Sequence, residues 1–265
     1  MEEPVENVAT PPSPAHAGMA LCAHRLSAGY GGDTALEEVD LEVPYGVSVA
    51  VLGPNGSGKS SLFAAAVGLL RPSTGSVGVG ERGIAWLPQH LNVDSTFPIT
   101  VEDVVRMGRW GRGRWLRRLD REDRRRVDEA MSALGVADLS GRRLHSLSGG
   151  QRQRALLAQV MAHDAGLILL DEPLTGVDRP TGEAIGDLIS RWRDEGRAVM
   201  VATHDLESAA RDYDRVIALN RRVIAYGEPA AVCTEKVLRQ TFSGHLARLD
   251  GEDLVDTSHQ HPGAA

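Results

Sequence analysis

The octapeptide GPNGSGKS at residues 53–60 constrains this chain more than any other stretch. It satisfies G-x-x-x-x-G-K-[ST] at every required position and lies between the apolar run SVAVL (48–52) and a stretch of helical character over 60–70. Such a loop works at a strand-to-helix junction. There glycine lets the backbone curl until its N–H groups converge on an anion, and the helix N-terminus adds positive potential. Gly53, Gly56 and Gly58 are expected to shape a cradle for a triphosphate, with Pro54, Asn55 and Ser57 completing it. Lys59 is expected to reach the β- and γ-phosphates, and the Ser60 hydroxyl to sit on Mg²⁺.

The remaining pattern fits the strand that such a loop needs. Residues 21–52 alternate apolar and polar positions between turns at Gly31-Gly32 and Pro44-Tyr45-Gly46, which predicts short strands. After residue 151 the apolar runs GLILLDEP (166–173), AVMVATHD (198–205) and RVIAL (215–219) alternate with helical stretches over 151–163 and about 181–195. That alternation predicts an α/β fold with a mainly parallel sheet. A breaker, RPSTG (71–75), is followed by GSVGVGERGIAWLPQ, which is read as a short hairpin and a strand ending near Gln89. Thr100 to about Leu134 turns helical and charged, the best candidate for a helical subdomain spanning about 90–160. Residues 1–20 read as a disordered leader, 21–244 as the main domain, and 245–265 as a flexible tail.

Strand ends carry the other candidate residues. In a parallel sheet the C-terminal strand ends form the ligand-binding edge. Asp171, closing LILLD, is expected to hold Mg²⁺, and Glu172 beside it to act as the general base on an attacking water. His204, after VAT, is expected on the same edge, where it could contact the γ-phosphate and help hold that water; alone it would read as a capping histidine. Gln89 reads equally as a polar loop residue or as a member of this site. A second glycine loop, SLSGGQ (146–151), precedes another helix and suits an anion at a helix N-terminus.

With these motifs in this order, the chain resembles the ATP-binding subunits of ABC transporters, over residues 22 to about 232. LSGGQ at 147–151 is the most specific part of the likeness. The resemblance implies a P-loop NTPase core with an antiparallel β N-terminal part and an α-helical signature subdomain. It implies that Tyr30 stacks on adenine, that Gln89 links Mg²⁺ to the membrane partner and joins the catalytic set, and that Asp178 closes the D-loop TGVD (175–178). Ser61 stands where the family usually has Thr, and the segment between Gly75 and Ile84 is shorter than usual. Ser148, Gly149, Gly150 and Gln151 are implied to serve the nucleotide of a second ATP-binding subunit across a two-fold interface.

The segment NVDSTFPITVEDVVRMGRWG (92–111) is similar to the manganese/zinc importer group, as is DEPLTGVD. That implies a separate integral membrane permease, indirectly an extracytoplasmic solute-binding protein, and a place on the cytoplasmic face of the cell membrane. A siderophore, haem or drug as cargo, possibly moved outward, is the competing expectation.

Charge and composition narrow the remaining classes. The formal net charge of −7 argues against general nucleic-acid binding. No apolar run approaches the ~20 residues of a membrane-spanning helix. Cys22 and Cys233 fit no metal or redox spacing. Ten arginines between Arg106 and Arg126, with Trp110 and Trp115 among them, read either as a solvated helical face or as a surface meeting a membrane or an acidic permease face. His245, His259 and His261 could form at most a weak metal-sensing tail.

Overall fold

The computed structural model describes residues 18–89, 98–110 and 119–242, with the backbone of 246–249 and 253–256. The leader to residue 17, residues 92–97 of the importer-like segment, Trp115 and all three tail histidines lie outside the described residues. In chain order the elements are β1 (Met19–Tyr30), β2 (Asp33–Pro44), β3 (Ser48–Leu52), α1 (Lys59–Ala66), β4 (Pro72–Val79), β5 (Ile84–Leu87), α2 (Val101–Met107), α3 (Arg121–Ala133), α4 (Gly149–His163), β6 (Leu167–Asp171), α5 (Arg179–Asp194), β7 (Ala198–Thr203), α6 (Leu206–Arg211), β8 (Arg215–Asn220), β9 (Arg222–Gly227), α7 (Pro229–Val232), α8 (Glu235–Phe242), β10 (Leu246–Leu249) and β11 (Asp253–Asp256).

The chain divides into two compact units. The first comprises Met1–Cys22, Glu42–Ser48 and Gly78–Ala202, and the second Ala23–Leu41, Val49–Val77 and Thr203–Ala265. In the first, β6 lies between β5 and β7 in parallel register, with Trp86 opposite Leu169 and Asp171 opposite Ala202. Every residue of β6 and β7 is buried, as expected of parallel strands covered on both faces. In the second unit β3, equally buried, pairs parallel with β8, and β8 pairs antiparallel with β9. β1, β2 and β4 form a three-stranded sheet in the order β2-β1-β4. The two-residue turn Gly31-Gly32 between neighbours β1 and β2 makes that pair an antiparallel hairpin.

Helices α2, α3 and α4 pack on one another within the first unit. Each has a side-chain N-cap completed into a reciprocal box: Thr100 with Asp103, Asp120 with Asp123, and Ser148 with Gln151. Arg109 joins all three, donating to Asp123 Oδ1 at 2.9 Å and to the Ala162 carbonyl at 2.8 Å. The described part of the arginine-rich segment is largely neutralised by its own helices. Arg106 pairs with Glu102, and Arg125 with Glu122 and Glu129. Arg126 pairs with Glu122 and Asp164. Hydrogen bonds from Arg125 and then Arg126 hold the Glu122 carboxyl down at about 2.

Three expectations change. RPSTG is not a break, because β4 starts at Pro72, a position where proline costs no ladder bond. No hairpin forms across residues 75–84, because β4 lies beside β1 while β5 lies beside β6. Within 245–265, expected as a flexible tail, Leu246–Leu249 and Asp253–Asp256 pair antiparallel as β10 and β11. Among the described residues no helix is long and apolar enough to cross a membrane.

The buried stripe of α5 runs Ile185, Leu188, Ile189 and Trp192, a helical spacing that ends on a fully enclosed indole. Trp192→Ala is expected to cost about 3–5 kcal/mol in urea unfolding. Arg191→Ala, which removes an exposed i,i+4 pair with Glu195, should change stability by less than about 0.5 kcal/mol.

Candidate functional site

The second unit carries the glycine loop. β3 delivers the buried chain to Gly53, where a Cβ would lie 2.2 Å from the Leu219 carbonyl oxygen and 2.6 Å from Ser57 Oγ. Gly56 and Gly58 have φ of 76° and 100°, which glycine adopts without strain. The Ser57 amide donates to Pro54 O at 3.1 Å, and the Ser57 carbonyl accepts from the Arg221 amide at 2.8 Å, pinning the loop to the β8–β9 turn. Asn55, Gly56 and Ser60 are exposed, and Ser61 is half-buried. Gly58 N-caps α1 without a side-chain acceptor, so the first-turn amides have no side-chain competitor for an anion. Lys59 is buried, with Nζ donating to the Gly53 carbonyl at 2.6 Å and the Pro54 carbonyl at 3.1 Å.

Two further expected residues belong to this unit. Tyr30 ends β1, next to the Gly31-Gly32 turn, with 57% of its surface exposed. His204 is half-buried directly after β7. Its neighbours fix where it leaves the strand: the Asp205 amide donates to Thr203 Oγ1, and Asp205 Oδ1 caps α6 through the Glu207 and Ser208 amides.

The first unit carries the carboxylates. Asp171 is the last residue of β6, with 3% of its surface exposed. Glu172 adopts φ of 50°, a left-handed conformation that costs a non-glycine residue about 1–3 kcal/mol and persists only where surroundings enforce it. Its amide donates to Ala202 O at 3.1 Å, and its carbonyl accepts from the Thr175 amide at 3.2 Å. Its carboxylate accepts at Oε2 from Gln89 Nε2 at 2.8 Å and from Thr175 Oγ1 at 3.2 Å. Gln89 reaches Glu172 because β5 and β6 are parallel neighbours that end on the same edge. The sequence reading named both residues without their contact, and it missed Thr175 and Gln153, whose Nε2 donates to Pro173 O at 3.0 Å.

The signature loop is in the same unit. Ser148 Oγ accepts from the Gln151 amide at 3.3 Å, and Gln151 Oε1 accepts from the Ser148 amide at 3.1 Å, so Gln151 caps α4. Gly149 and Gly150 form the first two positions of that helix. A Cβ on Gly150 would lie 3.2 Å from Asp178 Oδ1, which places the D-loop acid against the signature glycine of its own chain. Asp178, exposed, starts α5 without a side-chain cap bond.

Parallel ladders, a lysine enclosed by a glycine loop at a strand-to-helix junction, and carboxylates on a strand end define a phosphate-loop nucleotide-binding domain. The family model described as ABC transporter matches residues 36–175. The chain belongs to the ABC transporter family: it is an ATP-binding subunit, an ATPase coupled to transport. It is 40% identical over 228 residues to the chelated iron transport system membrane protein YfeB of Yersinia pestis, spanning 83% of this chain and 77% of that one. It is 38% identical over 243 residues to the zinc transport system ATP-binding protein TroB of Treponema pallidum (87% and 91%). It is 41% identical over 219 residues to the manganese transport system ATP-binding protein MntA of Synechocystis sp. (79% and 84%). Among solved structures it is similar to cbiO1 of Clostridium perfringens, part of the ABC transporter complex cbiONQ, with a TM-score of 0.68 and 28% identity over 84% of this chain and 94% of that one.

Gly53→Ala should reduce ATP affinity at least about tenfold, about 1.4 kcal/mol, in a titration with a fluorescent ATP analogue, since its Cβ collides with fixed backbone. Gly186→Ala, in α5 with open space around its Cβ, should leave that affinity unchanged.

Proposed function

We propose that this subunit hydrolyses ATP to drive import of a divalent transition-metal ion, manganese or zinc, through a separate integral membrane permease. It would work as a homodimer on the cytoplasmic face of the membrane, with an extracytoplasmic solute-binding protein delivering the ion. The names of the zinc and manganese relatives carry this reading. The segment ITVEDVVRMGRW (99–110), within which Val101–Met107 form the capped helix α2, supports it. A second reading, an iron chelate as cargo, is favoured by the name of the Yersinia relative.

In this reading the loop amides of residues 53–60 and the Lys59 ammonium hold the β- and γ-phosphates, Ser61 supports the loop, and Tyr30 stacks on adenine. The oxygen donors Ser60, Asp171 and Gln89 suit Mg²⁺, which takes few protein ligands and completes its shell from phosphates and water. Among the described residues no cluster of three or more His, Cys, Asp or Glu side chains competes for a cation. When bound, the ion neutralises charge developing on the phosphates. Glu172 accepts the proton of the attacking water as its oxygen bonds to the γ-phosphorus. The bond from that phosphorus to the β–γ bridging oxygen breaks, and ADP leaves. His204 and Gln89 hold the water and the γ-phosphate in line. Ser148 and the amides of Gly149 and Gly150, with Gln151 fixing the loop, meet the nucleotide of the second subunit, and Asp178 closes that interface.

Glu172→Gln should bind ATP normally and turn over about 100-fold or more slowly; turnover at the wild-type rate would remove Glu172 as the base. Ser148→Arg should leave ATP binding to the monomer nearly intact and abolish ATP-driven dimerisation in light scattering. Reconstitution with the permease and binding protein, followed by uptake of radioactive manganese, zinc or an iron chelate, decides the cargo. Stimulation by the chelate alone would replace the first reading with the second.

A further inference from the structure

Glu172 sits in a backbone conformation that its own residue type disfavours, with φ of 50°. The bonds that keep it there come from four places in the first unit. β7 contributes the Ala202 carbonyl, and Thr175 donates to both the backbone and the carboxylate of Glu172. Gln89 supplies the other donor to the carboxylate. The fourth is α4, which sends Gln153 Nε2 to the carbonyl of Pro173, the residue immediately after the strained one.

Gln153 follows Ser148 by five residues in the helix whose N-terminus is read as facing another subunit's nucleotide. Its half-buried side chain leads elsewhere: the bond it makes is to its own chain's carboxylate turn, part-buried and 3.0 Å long. Pro173 is buried and has no amide hydrogen, so only its carbonyl can tie this point of the turn by a backbone hydrogen bond. We infer that Gln153 is a positioning residue for Glu172 of the same chain, acting through the Pro173 carbonyl to hold the general base in its strained geometry. The signature helix then has two separate tasks. Its first turn serves the partner's nucleotide, and its second turn, one step along, aligns the base that acts on the chain's own nucleotide. This rests on the reading of Glu172 as the base.

The test uses the full-length chain and a double-mutant comparison. Gln153→Leu should lower kcat about tenfold with KM for ATP unchanged, because a misaligned base weakens the transition state and not ground-state binding. Gln153→Lys, which keeps a donor of similar reach, should recover most of that loss, which a merely space-filling role would not produce. Placed on Glu172→Gln, Gln153→Leu should cause no further loss in residual turnover and no change in ATP-driven dimerisation. Wild-type kcat in Gln153→Leu overturns the inference, as does weakened dimerisation of the double variant, which would assign Gln153 to the partner's nucleotide. If Gln153→Leu fails to fold, Gln153→Met replaces it in each measurement. Wild-type turnover by Glu172→Gln alone would instead sink the reading of the base, so the two failures are distinguishable.

Discussion

The amide of Glu172 donating to the carbonyl of Ala202 is the contact that fixes where the Glu172 carboxylate leaves the sheet. β6 is buried on both faces and paired on both sides, so its backbone has no freedom until the ladder ends. The last paired residue is Asp171, opposite Ala202, and the Glu172 amide makes the closing bond of that parallel ladder. The chain leaves the sheet directly after that bond, and it does so at positive φ. A glutamate rather than a glycine occupies that position, so conformational ease has been given up for a carboxylate at a fixed place. The donors around it, Gln89, Thr175 and Gln153, come from a neighbouring strand end, the following turn and a helix. Gln89 and the Thr175 hydroxyl hold Glu172 Oε2, the Thr175 amide holds the Glu172 carbonyl and Gln153 holds that of Pro173, which together offset a conformation costing about 1–3 kcal/mol.

The second unit solves a different problem with backbone alone. Its loop contributes amides, and amides can converge only where side chains are missing. Gly53 and Gly58 have no room for a Cβ, the first against Leu219 and the second 2.6 Å from Ala35 O. The buried Lys59 ammonium sits on two carbonyls of the same loop. Those charge-assisted bonds keep a buried cation satisfied, and in the proposed reading a triphosphate at the loop would exchange carbonyl acceptors for anionic ones, which bind an ammonium more strongly.

The parts legible in the sequence are those whose signal is local. The strand-loop-helix from Ser48 to Ala66 was readable because glycine pattern, apolar run and lysine all lie within nineteen residues. β6 and β7 were readable because strands buried on both faces leave no alternation, only a run. β4 was not, since Pro72-Ser73-Thr74-Gly75 has the composition of a break; its strand character comes from pairing with β1, distant in sequence. The same holds for Gln153. Its position in a helical pattern was evident, but its partner is set by how α4 docks on the turn after β6. Gln151 shows the opposite case: Ser148 and Gln151, three residues apart before an apolar run, spell a capping box in the sequence itself.

That capping box also bears on why the signature loop has two glycines. The box satisfies the Ser148 and Gln151 amides and leaves those of Gly149 and Gly150 as the unshared donors of the first turn. For Gly150 the packing of its own chain gives a reason, since a Cβ there would press on Asp178. For Gly149 it gives none. A Cβ at Gly149 meets nothing within 4 Å among the described residues, and its φ is not positive. Glycine costs a helix about 1 kcal/mol relative to alanine, so nothing among the described residues favours it at that position. The bare backbone at Gly149 supports the proposed role of this loop toward a second subunit's nucleotide, since two aligned amides at the positive end of a fifteen-residue helix suit an anion.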